Sequence, residues 1–434
     1  MLETKQVLNK LLDRLFNTEV IVVFLIVGVW NAVMSFEWSK EHFPLAVETQ
    51  LRLYNVVWSL RPVPQYNSTV TLVRIDDALH WGQGICDSPT SRHLLAQLVR
   101  NASRVTTKAS VIALDVELYV PRGKPAGWRY PVRDTEADEL LSAITDAAKV
   151  GVTVVVPVGF TKDKSGALTR IPNIFRDDEL PLADGYGKCG YPACAVLGSI
   201  KLPADKREIP LHETASDWYK GGPVMEVHSL ALASADAKTR THVPPSTKPT
   251  VKAAIDNHEV LFGAFLPEQK FTEHEIATHE LADGEESALK KCDGNLVLIG
   301  GEWHSDQGYG DLVDQHLSPV GHISGLLMHA NYIESLLGDH FTEAVPGYAA
   351  ILIDVLIGLM LYVAFDHAKG WFGRLGVVSL VLLPFVGAYF SLVLFNRYLD
   401  FIWPTLLYFV HLAYECLKLL VLRYVKAIRN IRIA

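Results

Sequence analysis

The sequence lacks the short motifs by which many enzymes are recognised. It contains no P-loop, no Gly-x-Ser-x-Gly nucleophile elbow and no HExxH zinc-binding helix. Its five cysteines form no CxxC pair, which argues against a zinc ribbon or zinc finger. A net charge of −8 leaves no basic excess with which to bind nucleic acid. We therefore expect no catalytic residues, no cofactor and no nucleic-acid partner.

Charge is also scarce overall, and it is nearly absent from four long stretches. The composition, 20% charged and 49% hydrophobic, suits membrane spans averaged with a polar domain. A membrane-spanning helix needs about 20 mostly apolar residues. We predict four such helices at residues 20–36, 345–365, 376–395 and 401–422. No small-x-small cleavage site follows the first stretch, so we interpret it as an anchor and not a signal peptide.

Basic residues in the short flanking segments predict the orientation. Lys and Arg occur in the lead at residues 1–19, between the second and third spans, and in the tail at residues 423–434. Because such residues are retained on the cytoplasmic side, both termini are predicted to be cytoplasmic. Residues 37–344 then form an extracytoplasmic domain. We expect a multi-pass protein in the lipid bilayer of a bacterial inner membrane, with this domain in the periplasm.

Short apolar runs alternate with amphipathic segments in residues 37–344. After a stalk helix at 45–60, strands are predicted at residues 70–75, 110–119, 152–159 and 295–301. Helices are predicted at residues 87–102, 134–151 and 326–340, the first of them capped by Asp87 or Ser88. Residues 160–286 are interpreted as insertions and antiparallel additions, and residues 302–325 as a loop. The fold class is therefore α/β, a mostly parallel sheet flanked by helices with insertions, plus four transmembrane helices.

Several of these segments together resemble the CHASE type-2 family, the extracellular sensory domains associated with cyclases and histidine kinases. They are the strand ending in Ile-Asp-Asp at 75–77, Arg92 at the start of the next helix, the strand around Asp115, residues 295–301, and His-Ala-Asn at 329–331. One predicted span before the domain and three after it also match the family. Residues 84–92, Gly-Ile-Cys-Asp-Ser-Pro-Thr-Ser-Arg, replace the Trp- and Pro-rich stretch usual in the family.

The resemblance implies a sensory protein that passes a signal through its transmembrane helices. The family's cytoplasmic cyclase, phosphodiesterase or kinase does not follow the last predicted span before residue 434. We therefore expect a separate cytoplasmic or membrane effector. The alternative is a structural or assembly subunit of a larger cell-envelope complex, in which the domain is a building block. In either case we expect a homo-oligomer or a multi-protein membrane complex.

Polar residues and glycines follow the strands at the edge where open α/β sheets bind ligands. The candidate ligand-binding residues are Asp76, Asp77, Arg92, Asp115, Gly300 and Gly301. A helix N-terminus with Arg92 would suit an anion, whereas paired carboxylates would suit a cation or an amine. The structural alternative is that Asp76 and Asp115 cap helices or pair with Arg92.

A second group of polar residues follows the strand at 295–301. It comprises Glu302, His304, Asp306, Asp311, His316 and His322. Histidine and carboxylate side chains are metal ligands, but no spacing here places two of them on one helical face. We therefore favour a solvated loop and expect no metal.

Two cysteines, Cys189 and Cys194, flank a short turn and are a possible disulfide in an oxidising compartment. Cys86 and Cys292 would then be left to pair with each other. The alternative is that all four are free buried thiols, because connectivity cannot be read from sequence.

Ionisable residues also occur inside the predicted spans, where they are costly and mark functional or packing contacts. These intramembrane polar residues are Asp354, His411 and Glu415. Asp354 and His411 fall at a similar depth, given a helical rise of about 1.5 Å per residue. We predict that they face each other.

Overall fold

The computed structural model describes residues 40, 42–62, 68–77, 90–104, 106–118, 135–162, 167–171, 173–182, 193–217, 225–240, 261–306, 309–312, 314–345, 349, 352–353 and 385–399. The chain divides into two compact units. The larger comprises residues 62–341, and the smaller comprises residues 1–61 together with 342–434.

The described residues form the following elements. The helices are α1 (Pro44–Ser59), α2 (Arg92–Ala102), α3 (Thr135–Lys149), α4 (Leu230–Arg240), α5 (Thr278–Asp283), α6 (Glu286–Cys292) and α7 (Gly325–Gly338). The strands are β1 (Val70–Ile75), β2 (Val111–Asp115), β3 (Thr153–Val158), β4 (Phe160–Lys162), β5 (Leu168–Arg170), β6 (Ala195–Ser199), β7 (His212–Asp217), β8 (Met225–His228), β9 (Phe262–Gly263), β10 (Glu275–Ala277), β11 (Leu296–Gly301), β12 (His304–Asp306), β13 (Tyr309–Leu312), β14 (Gln315–Ser318), β15 (Gly321–Ser324), β16 (Phe341–Ala344) and β17 (Arg397–Tyr398).

A six-stranded sheet forms the centre of the larger unit. Its strand order is β10-β1-β11-β2-β3-β6, and every neighbouring pair is parallel. The strands are apolar along almost their whole length because both faces of the sheet are covered, and β3 is buried at every position. The predicted parallel sheet flanked by helices is therefore confirmed.

Helices cover both faces of this sheet. On one face, α2, α3, α5 and α6 enclose a continuous apolar core, whose members include Leu95, Leu98 and Ile144. On the other face, α4 contacts β2, β3 and β6, while α7 contacts β1 and β11. Helix α2 begins later than predicted, because its N-cap is Ser91, whose hydroxyl accepts a hydrogen bond from the Leu94 amide at 3.4 Å.

The interpretation of residues 160–286 as antiparallel additions is wrong in part. Strands β6 and β10 pair in parallel at the two ends of the sheet order, and residues 230–240 form a helix. Strands β4, β5, β7 and β8 form a separate four-stranded sheet, antiparallel apart from the β5–β7 pair. Residues 302–325, predicted as a loop, contain two antiparallel hairpins, β12–β13 and β14–β15. Strands of three to five residues carry too little periodicity to be recognised alone.

Helix α7 is buried at every position from Gly325 to Leu336, yet it carries several polar side chains. The Glu334 carboxylate accepts hydrogen bonds from the Ser68 hydroxyl and the Val70 amide, both at 2.7 Å, and from the Thr69 amide. This carboxylate therefore fastens the helix to the start of β1.

Two further side chains of α7 bind the segment that follows β9. The Asn331 side-chain oxygen accepts the Leu266 amide at 2.6 Å, and the Ser335 hydroxyl accepts the Ala264 amide at 3.1 Å. Because buried polar groups are costly unless they are paired, these bonds fix one position of the helix along the sheet.

In the smaller unit, three segments that are distant in sequence meet. Helix α1, predicted as the stalk, packs on Tyr398, whose ring lies edge-on to Tyr54 at 5.0 Å and stacked on Trp58 at 6.0 Å. Strand β16 pairs in parallel with β17, and Arg397 binds Glu343 at 2.9 Å. We call α1, β16 and residues 396–399 the collar.

Residues 385–395 are helical and belong to the third predicted span. Ala388 and Leu392 are buried, whereas Val386, Phe390 and Leu394 are exposed at successive turns. Within the described residues, no helix combines the length and the apolar character needed to cross a bilayer. Most of the four predicted spans lies outside the described residues, and the spans stay predictions.

Candidate functional site at the carboxyl edge of the parallel sheet

The ends of three central strands lie side by side. Ile75 at the end of β1 is paired with Gly301 of β11, and Gly300 is paired with Asp115 at the end of β2. Asp76 and Asp77 follow β1 directly, so the carboxylates named from the sequence share this edge with both glycines. Their binding of a ligand stays a prediction.

Asp115 lies in the interior and faces helix α7. Its Oδ1 atom is 3.7 Å from Nε2 of His329, and the two side chains are 10% and 2% exposed. Asp314 lies just before β14, and its carboxylate acts electrostatically on both groups. Its Oδ1 atom is 2.7 Å from Nε2 of His316, which is hydrogen-bond distance. Two carboxylates and two imidazoles therefore meet at the boundary between the sheet and α7.

Burial shifts the pKa values of Asp115 and His329, which we call the inner pair, in opposite directions. Desolvation, reinforced by the nearby Asp314 carboxylate, raises the pKa of Asp115 from 3.8 to about 7. Desolvation also lowers the pKa of His329 from 6.5 to about 4, against the attraction of Asp314. Although burial alone would raise it, the pKa of Asp314 is lowered because of its hydrogen bond to His316. Both inner groups are thus uncharged in weakly acidic solution.

Asp77 and Arg74, near the end of β1, each contact a residue at or just before the start of the β12–β13 hairpin. The Asp77 carboxylate accepts the His304 amide at 2.7 Å and lies 2.6 Å from Nδ1 of the same residue. Arg74 lies 2.7 Å from Glu268 and 2.8 Å from Glu302. These contacts fix the start of the β12–β13 hairpin beside β1.

The N-terminus of α2 is already occupied by a carboxylate. Glu136 of α3 accepts the backbone amides of Arg92 and His93 at 3.1 and 3.3 Å. An anion attracted to Arg92, as the sequence suggested, would therefore compete with Glu136 for these donors.

The two glycines of β11 make room for protein side chains. A Cβ atom on Gly300 would lie 2.5 Å from the Leu326 side chain, and one on Gly301 would lie 1.9 Å from the Trp303 ring. The geometry thus gives both residues a packing role, whatever else they bind.

The remaining candidates fall mostly outside the described residues. Asp354, His411, Glu415 and Cys189 lie there, so their predicted roles remain predictions. Cys194 is disulfide-bonded, and its partner is not among the described residues. Cys292 is a free buried thiol, so the suggested pairing of Cys86 with Cys292 is wrong.

No three histidine, cysteine or acidic side chains of the described residues come together in a way that would hold a metal ion. Sequence reasoning did not bring His329 and Asp314 to the site, because the β14–β15 hairpin that places Asp314 beside α7 was not recognised. The His-Ala-Asn sequence at 329–331 was the available signal, since polar residues within a mostly apolar helix indicate specific contacts.

The fold and this edge define a parallel α/β domain of the type in which ligands are bound beyond the strand ends. The model of the CHASE2 domain matches residues 20–364, which is most of the chain. The chain therefore belongs to the CHASE2 family of extracellular sensory domains. No curated protein and no solved structure matches it.

Proposed function

We propose that this chain is a membrane-anchored sensory protein, with residues 37–344 outside the cytoplasm, that signals through its transmembrane helices to a separate partner. The family membership is the observation that carries the proposal. The matched residues include the first predicted span and nearly all of the second, so the sensory domain and its anchors form one family unit.

The collar supports the proposed topology. Helix α1 follows the first predicted span, β16 precedes the second, and residues 396–399 connect the third and fourth. The proposed topology requires all three segments to lie on the same side of the membrane. Their mutual contacts through Tyr398, Trp58 and the β16–β17 pair are what this arrangement would produce.

An apolar surface supports insertion in the bilayer. Val386, Phe390 and Leu394 lie four residues apart on one face of the helix at 385–395 and are all exposed. Water-soluble surfaces rarely carry contiguous large apolar side chains, whereas lipid accommodates them. The occupant we propose for this face is the acyl region of the bilayer.

The partner is tested by purification of the full chain in gentle detergent, followed by mass measurement and imaging. A sensory role predicts a small oligomer that retains a kinase, cyclase or other regulatory protein. A large ring or filament containing only envelope components would contradict it and would establish the structural subunit instead. The readout identifies the associated protein by mass spectrometry, with an unrelated four-span membrane protein purified in parallel as the control.

A further inference from the structure

The contact between Asp115 and His329 joins two different layers of the larger unit. Asp115 ends β2 in the sheet, whereas His329 lies in the first half of α7. His329 is 1% exposed, and its Nδ1 atom has no hydrogen-bond partner among the described residues. A buried imidazole nitrogen left unpaired is costly, so a purely structural pair would be poorly optimised.

Charged and titratable groups act on this pair from the β14–β15 hairpin and from the segment after β6. Asp314 and His316 come from the start of the β14–β15 hairpin, and Lys206 acts on His329 from the segment after β6. The backbone of Ile200, in that same segment, raises the pKa of His329, and Gly300 of β11 lies against Asp115. The charge on this pair is therefore coupled to the charges of Asp314, His316 and Lys206.

Exposure decreases stepwise from the surface to this pair. The side chains are 60% exposed at Asp314, 25% at His316, 10% at Asp115 and 2% at His329. The outer two groups are hydrogen-bonded to each other, and the Asp314 charge reaches both inner groups. Asp115 and His329 are thus the buried half of a polar cluster that reaches solvent at Asp314.

We propose that Asp115 and His329 form a proton-binding site whose occupancy sets how firmly the first half of α7 is held against the sheet. With Asp115 protonated and His329 neutral, the boundary carries no net charge from this pair. Loss of the Asp115 proton leaves a buried carboxylate beside Asp314, which desolvation and like-charge repulsion both disfavour. Alkaline conditions therefore loosen this end of α7.

The inference deepens the proposed function and rests on it, because it names the proton as the signal. Helix α7 ends at Gly338, and β16 begins three residues later, immediately before the second predicted span. Helix α7 is thus adjacent in sequence to the segment through which the proposed signal passes, and a change in its attachment to the sheet would act on that segment.

The two groups change the opening of α7 with opposite signs. Asp115 has a raised pKa in the folded protein, so its contribution is full at low pH and is lost as pH rises through about 7. Between pH about 6 and 8, this makes opening about tenfold more favourable. His329 has a lowered pKa, so its contribution is lost as pH falls, and over the same interval it makes opening about fourfold less favourable.

Amide hydrogen exchange of α7 in the full chain, held in detergent micelles and corrected for intrinsic rates, tests this directly. The ratio of the opening constants of wild type and Asp115→Asn should change about tenfold between pH about 6 and 8. Asp293→Asn, an exposed aspartate of the same unit, is the matched control and should follow wild type. An unchanged ratio for Asp115→Asn would overturn the proposal.

A second variant, His329→Gln, tests the same proposal if Asp115→Asn does not fold. His329→Gln should remove the opposing effect of about fourfold over the same interval, whereas a pH-independent difference from wild type would also overturn the proposal. Exchange is measured on the protein alone, without an effector. A negative hydrogen-exchange result would overturn the proton site but not the sensory role, which the partner experiment tests. A negative partner experiment would overturn the sensory role but not the binding of a proton by Asp115 and His329.

Discussion

The two faces of the parallel sheet are built on different principles. On one face, α2 and α3 bury apolar side chains such as Leu98 and Ile144 in a continuous core. On the other face, α7 buries His329, Asn331, Glu334 and Ser335 among its apolar residues. Apolar burial is non-directional and tolerates exchange of side chains, whereas each buried hydrogen bond specifies one geometry. The first face supplies stability, and the second fixes the position of a single helix.

Removal of the Glu334 carboxylate, on the polar face, should cause the largest loss of stability among the changes considered. Glu334→Leu retains bulk but leaves the Ser68 hydroxyl and the Thr69 and Val70 amides without their acceptor. The Ser68 hydroxyl and the Val70 amide then keep only the bonds between their own two residues. Hydrogen bonds to a charged group contribute about 1.5–3 kcal/mol each, so we expect loss of the three bonds to Glu334 to lower the free energy of unfolding by about 4 kcal/mol or more. The free energy of unfolding is measured by urea titration of the full chain, with cleavage of the larger unit by a protease as the report of its unfolding. Glu334→Gln, which retains an acceptor oxygen, should lose much less, and equal losses for the two variants would contradict the account.

On the apolar face, the stability lost on substitution should depend only on the volume of the side chain that is removed. Leu98 is fully buried, so Leu98→Ala should cost about 3 kcal/mol through lost burial and cavity formation. Leu98→Met, of similar volume, should cost less than about 1.5 kcal/mol. The same urea titration applies. A Met variant as unstable as the Ala variant would show that this face, too, demands one geometry.

The exposed ion pair of the collar provides the smallest expected effect. Arg397 and Glu343 are 44% and 63% exposed, so solvent screens their attraction. We expect Arg397→Gln to change the thermal unfolding midpoint of the full chain only slightly, corresponding to less than about 1 kcal/mol. Tyr398→Ala, in the same strand, is the comparison and should lower the midpoint clearly, because its ring packs on Tyr54 and Trp58. Equal effects would show that the pair, and not the ring, stabilises the collar.

Sequence patterns predicted the long elements of the fold. β1, β3 and β11 are mostly apolar runs, α3 has apolar residues at helical spacing, and α7 is a long and mostly apolar segment, so local signals and tertiary structure agree. β10 has only three residues, and its place beside β1 depends on pairing between residues about 200 positions apart in the sequence. Such a strand is recognisable only once its partner is known.

The candidate site was predictable only in part for a related reason. Asp115, Gly300 and Gly301 were located by the rule that strand ends share one edge. His329 and Asp314 reach that edge from a helix and a hairpin far along the chain, which no local pattern indicates. Nor does sequence show what fills the space beside a glycine, here Leu326 and Trp303, or that Glu136 already occupies the N-terminus of α2.

The most direct test of the proposed function is the sidedness of single introduced cysteines in intact cells. Asp293→Cys in the α/β domain and Arg397→Cys in the collar should both react with a membrane-impermeant maleimide added outside. Lys369→Cys, between the second and third predicted spans, should react only after the membrane is opened. The unsubstituted chain gives the background from the native cysteines. Labelling of positions 293 and 397 from opposite sides, or of position 369 from outside, would contradict the account.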